Sequence, residues 1–143
     1  MASDPYDLDR FVQAQDAGGT YAAALAELRA GRKVSHWMWF VFPQIAGLGR
    51  TETSRRYAIS SLDEARAYLA HPVLGPRLEE CARVLTELGG RTAVEIFGPV
   101  DAMKLRSSVT LFARADPAQP LFRQVLDRYF DGLADDATEA QLD

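Results

Sequence analysis

A chain of 143 residues, 48% of them hydrophobic, fits one domain whose core needs no covalent staple. The net charge of −4 argues against a general nucleic-acid binder, and a single cysteine, Cys81, excludes an internal disulfide and a cysteine-cage metal site. No stretch approaches the ~20 apolar residues that cross a bilayer.

The opening MASDPYDLDR is acidic and has no apolar run, so it does not read as a secretory signal. With one cysteine, a reducing cytoplasm is the expected location. In SDPYDLDRFVQAQ, Asp4 reads as a cap and Pro5 as the first helical residue, with Leu8, Phe11, Val12 and Gln15 at helical spacing. TYAAALAELRAG is a second helix stopped by Gly31. WMWFVF suits a buried strand by propensity alone. One strand makes no sheet and nothing else alternates, so it is read as a helix.

SLDEARAYLAH opens with a capping box, Ser61 and Glu64, and ends before Pro72. GPRLEECARVLTELGG puts Leu78, Cys81, Ala82, Leu85 and Leu88 on one stripe and stops at Gly89 and Gly90. TAVEIFG repeats the box with Thr92 and Glu95, and GPVDAMKLRSSVTLFARA follows with Pro99 early. DPAQPLFRQVLDRYFDG has Asp116 as cap, Pro117 in the first turn and Gly132 as stop. Residues 1–131 are thus expected to form one all-α domain, a compact bundle of about six to seven helices joined by short loops. Residues 132–143 have no apolar period and read as an acidic, disordered tail.

Charge is unevenly spread. Residues 29–56 hold Arg29, Arg32, Lys33, Arg50, Arg55 and Arg56 against Glu52 alone, whereas residues 131–143 are acidic without a base. A basic middle in an acidic protein suits a local anionic ligand better than a long polyanion, although charge runs are as often only solvated surface.

Two stretches carry candidate chemistry. The first packs His36, Trp37, Trp39, Phe40 and Phe42 together, then turns at Pro43 into a loop with Gln44, Gly47, Gly49, Arg50 and Arg55, closing on Tyr57. Indoles this close make either a dense local core, the more common outcome, or a stacking platform. His36 is suited to general-base or hydrogen-bonding work, Gln44 to orienting a ligand, and Arg50 and Arg55 to binding phosphate or carboxylate. The loop has neither a phosphate-loop nor a dinucleotide fingerprint. Two separated histidines, His36 and His71, are a weak metal signal, so no metal and no cofactor is expected.

The second stretch is FGPVDAMKLRSSVTLF. On a helix, Asp101, Lys104 and Ser108 share one face, with Met103, Ser107, Thr110 and Leu111 on the neighbouring one. Ser108 and Lys104 are within reach of each other for a nucleophile pair, but no oxyanion hole is evident. The plain alternative is a surface pair and small residues that let another helix approach. Cys81 lies on an apolar stripe and reads as core.

SHWMWFVFPQIAGLG, RYAI, HPVLGPRL and IFGPVDAMKLRSSVTLF resemble a widespread bacterial family catalogued as domain of unknown function 1810, some of whose members are labelled calpastatin. Nothing here is similar to the repeats of a protease inhibitor. The resemblance runs from DLDRFVQAQ to about Phe130. It implies a compact all-helical fold and no settled activity, and it supports the helical reading of residues 35–42.

The sequence therefore predicts a groove where residues 36–57 and 101–112 meet. Trp37 or Trp39 would stack on a planar group, with Arg50, Arg55 and Lys104 neutralising an anion. His36, Gln44 and Ser108 would orient or activate, with Tyr57, Asp101 and Ser107 nearby. The expected ligand is a small, nucleotide-like anion. The alternative is a protein-binding module anchored by the tryptophans. No reaction is named by these residues, and neither a membrane nor a nucleic-acid polymer is expected as partner.

Overall fold

The computed structural model describes residues 4–142, which hold nine α-helices and no strand. These are α1 (Asp9–Asp16), α2 (Thr20–Ala30), α3 (Met38–Val41), α4 (Glu52–Arg56), α5 (Leu62–Ala70), α6 (Leu74–Glu87), α7 (Ala93–Ala115), α8 (Leu121–Phe130) and α9 (Asp136–Leu142). The all-α reading holds. The helix count exceeds expectation because α4 is a single turn, too short to show a period, and because α9 lies in the segment expected to be a disordered tail. α3 falls where WMWFVF is read as a helix, and the two helices expected on either side of Gly98 join as one kinked α7.

The caps explain most boundaries. Both Asp4 carboxylate oxygens accept backbone N–H groups, from Leu8 at 2.8 Å and Asp9 at 3.0 Å. Pro5 therefore sits in a turn before α1 rather than inside it. Thr92 and Glu95 form the full reciprocal box. At Ser61 only half forms: its hydroxyl accepts the Glu64 N–H, but the Glu64 carboxylate turns to Ser60 and Arg10 instead. α8 starts at Leu121, later than Asp116 suggests, with Gln119 accepting the Leu121 N–H at 3.2 Å. Inside α7, Gly98 takes φ 81° and ψ 164°, which only glycine tolerates, and Pro99 starts the second segment of the helix.

α7 is the central element. It packs on α8, α5, α9 and α3, while α6 packs on α8, α5 and α2. Leu78, Cys81, Ala82 and Leu85 are buried as their stripe requires, and Leu88 is half-buried at the helix end. An aromatic chain crosses the core from Tyr57 through Phe11, Tyr68 and Phe112 to Phe122, with centroids 5.2–5.8 Å apart.

Two devices shape the region that matters most. Ile59 N donates to Gln44 O and Ala46 N to Ile59 O, both at 2.8 Å, so the chain from residue 46 to 58 is a closed excursion carrying α4. Behind it, the half-buried Arg10 of α1 donates to the carbonyls of Tyr6, Asp7, Arg56 and Ala58 and to Glu64.

α9 is held mainly by polar contacts. Thr138 is fully buried and its hydroxyl is 2.9 Å from Ser107 Oγ. Asp135 accepts the Thr138 N–H and O–H, and its own N–H donates to Thr110 Oγ1. Arg106 donates to the carbonyls of Leu133 and Ala134, and Arg114 pairs with Glu139.

Candidate functional site

Two indoles at the start of the single turn α3 do different work. Trp37 is fully buried in a triangle with Phe42 and Phe97, each pair of centroids 6.4 Å apart. Its Nε1 donates to Glu27 at 3.0 Å. Glu27 also accepts the Val34 N–H and the N–H and O–H of Ser35. Burial acts to raise the Glu27 pKa, but these four bonds favour the carboxylate more and bring it down to about 2.

Trp39, two residues on, is half-buried and borders a groove. The Lys104 ammonium lies 3.9 Å from its ring centroid. Asp101, one turn earlier on α7, accepts Lys104 at 3.1 Å and Lys33 at 2.9 Å. Lys33 also donates to Ser35 O and lies 5.0 Å from the Trp37 ring. Its side chain is only 7% exposed. Burial opposes the charged form of Asp101, yet the two lysines outweigh it and hold the carboxyl below its ordinary value. Asp101 thus bridges two cations, Lys33 and Lys104.

Two compartments meet at Trp39. The larger, about 300 Å³, has apolar walls from Leu48, Val100, Met103 and Ala137 and polar ones from Gln44, Lys104, Ser107 and Asp135. The smaller, about 110 Å³, is bounded by Ser54, Arg55, Tyr57 and the 45–47 backbone. Trp39, Gln44 and Gly49 line both. Gly47 has φ +98°, and a Cβ there would meet Gln141 of α9 at 2.8 Å, so loop and helix pack without a side chain between them. The backbone N–H groups of Gly47, Gly49 and Arg50 reach no acceptor among the described residues.

The expected site residues divide accordingly. Trp39, Gln44, Lys104 and Ser107 line the larger compartment, and Arg55 and Tyr57 the smaller. Trp37 does not reach the groove, since its indole is committed to the core and to Glu27. Ser108 is fully buried and its hydroxyl has no hydrogen-bond partner, so it contacts neither Lys104 nor solvent. Asp101 stands behind Lys104 rather than in the wall. His36 and Arg50 are exposed and line neither compartment.

The reason lies in the helix period. Val100, Met103, Lys104 and Ser107 are spaced i, i+3, i+4 and i+7, one stripe, and Asp101 and Ser108 fall beside it. Sequence reasoning missed Lys33, Leu48, Val100, Asp135 and Ala137. Lys33 stands four residues before Trp37, which is the only local hint. Asp135 and Ala137 could not be found by apolar spacing.

Among the described residues no helix is long and apolar enough to cross a membrane, and no group of three or more His, Cys, Asp or Glu could hold a metal ion.

Fold and site together define a helical protein built around one kinked helix, with two neighbouring pockets that share Trp39, Gln44 and Gly49. The chain belongs to the family described as "Protein of unknown function (DUF1810)", whose model matches residues 5–142. It is similar to the conserved hypothetical protein Rv1873 from Mycobacterium tuberculosis, solved by crystallography at 1.38 Å. The two share 54% identity over 97% of this chain and 98% of that one, with a TM-score of 0.94. No curated protein matches the chain.

Proposed function

We propose that the cleft across Trp39 binds a small anionic ligand. The observation that carries this reading is the pair of compartments sharing Trp39, Gln44 and Gly49, with Lys104 in one wall and Arg55 in the other. Arg55 is exposed and has no ion pair among the described residues, so its planar fork is open to a phosphate or carboxylate. The unpaired N–H groups of Gly47, Gly49 and Arg50 add donors along the same loop. Trp39 offers an apolar wall between the two cations.

The test is thermal denaturation with and without millimolar inorganic phosphate, ribose 5-phosphate and AMP. At least one should raise the midpoint of the wild type, and Arg55→Ala with Lys104→Ala should abolish the rise. If none of these anions shifts the wild-type midpoint, the reading fails.

One observation favours a second reading. Val100 and Met103 are 64% and 71% exposed beside the larger compartment. A protein partner could insert an apolar side chain between them. In that case Met103→Lys would abolish complex formation while leaving any response to anions intact.

A further inference from the structure

The larger compartment contains a feature that a simple anion site would avoid. Asp135 stands in the same wall system as Lys104, Gln44 and Ser107. Its Oδ2 accepts from Thr138, while Oδ1 has no hydrogen bond among the described residues. A carboxylate only accepts, and it repels a second negative charge. The part of the ligand that faces Asp135 is therefore matched by an uncharged group that presents N–H donors, not by a second negative charge. The Gln44 side chain is also unpaired, and it both donates and accepts. Around these polar groups the walls are apolar and aromatic, from Leu48, Val100, Met103 and Trp39.

The smaller compartment has the opposite character. Arg55 borders it, no carboxylate does, and about 110 Å³ suits one compact oxyanion. The shared walls at Trp39 and Gln44 make the two adjacent. The ligand must then be dipolar: a flat, donor-bearing, apolar-faced ring at one end and a single anionic group at the other.

We infer that the cleft takes an amino-bearing nucleoside monophosphate, its base between Met103 and Trp39 with the exocyclic amine given to Asp135, and its phosphate at Arg55. This rests on the anionic-ligand reading and narrows it. The limited volume disfavours a dinucleotide. The Lys104 ammonium already covers the Trp39 ring at 3.9 Å, so the base contacts the indole by its uncovered face or its edge.

The experiment is a titration followed by isothermal calorimetry, comparing AMP with IMP and CMP with UMP, with ribose 5-phosphate as a base-free control. Each pair differs at the position of the exocyclic amine. In the wild type, AMP should bind more tightly than IMP, or CMP more tightly than UMP, by roughly tenfold or more, and ribose 5-phosphate more weakly than either amino member. Asp135→Asn retains an acceptor for Thr138, so folding is kept, which the melting temperature checks. That variant should lose or reverse the amino-over-oxo preference, because its amide can donate to a ring carbonyl.

Equal affinity for amino, oxo and base-free phosphates overturns this inference and leaves the anion site standing. An amino preference that survives Asp135→Asn also overturns it, since the discriminating group is then elsewhere. No binding by any of the five compounds overturns this inference, and if inorganic phosphate also fails to shift the melting midpoint the reading beneath it falls as well.

Discussion

The ammonium of Lys104 sits 3.9 Å from the centre of the Trp39 ring and 3.1 Å from the Asp101 carboxylate. The indole that borders the cleft is thereby held by a cation which is itself held from behind. Lys104→Met should keep the stem and lose both attractions. The expected cost is about 0.5–1 kcal/mol, because the pair is partly exposed. Trp39 emission should change, while Lys104→Arg should preserve both emission and stability. Denaturation and fluorescence spectra of the three proteins check this.

Glu27 should leave a signature in acid. Its pKa is depressed to about 2 from an ordinary 4.5. A depressed carboxyl stabilises the folded state fully above its unfolded value and loses that contribution as pH falls through the folded one. Wild-type stability should therefore drop between about 4.5 and about 2 more steeply than that of Glu27→Gln. At neutral pH the variant should be weaker by about 1–2 kcal/mol, since charge-assisted bonds become neutral ones. Urea unfolding across a pH series gives both numbers, and parallel curves would refute the assignment.

Ser108 should be dispensable. Its buried hydroxyl is unpaired, and an unpaired buried polar group costs free energy. Ser108→Ala should be neutral or stabilising by about 1 kcal/mol, a rise of roughly 3 °C in melting temperature. Any ligand response should be unchanged. Loss of that response with the fold intact would restore Ser108 to the site.

Cys81 should be inert while the protein is folded. Burial, foremost, pushes its thiol up to about 12, with the Tyr21 hydroxyl 3.9 Å away. An aromatic disulfide reagent at neutral pH should label it only after denaturant is added. Rapid labelling of the native protein would contradict the burial.

The attachment of α9 should yield to a single isosteric change. Thr138→Val removes the hydroxyl that bonds both Ser107 and Asp135 and leaves Ser107 Oγ buried without that partner. The expected loss is about 1–3 kcal/mol. Hydrogen exchange at residues 136–142 should accelerate more than in α6. Adding Ser107→Ala should recover part of the loss, a non-additivity that measures the bond.

How much of this was legible depended on the kind of force involved. Thr92 with Glu95, Gly31 after α2, and the Leu78–Leu85 stripe are local signals, and each fell where the residues place it. α9 leaves no local signal in the sequence because its one fully buried side chain is a threonine and its partners lie 25–31 residues away. Trp37 and Trp39 are alike in composition and neighbourhood. Only Glu27, on another helix, and Lys104, on a third, make one core and the other wall. Ser107 and Ser108 differ by a single step around α7, and that step separates a cleft residue from a core one.

Arg10 joins the first helix to the edge of the cleft. One planar fork of five N–H groups fixes the carbonyls of Arg56 and Ala58, 46 and 48 positions downstream, on either side of Tyr57. The segment presenting Arg55 and Tyr57 therefore borrows its rigidity from a helix that never borders the opening. Damage to α1 should be felt first as misplacement of that edge, well before the bundle itself gives way.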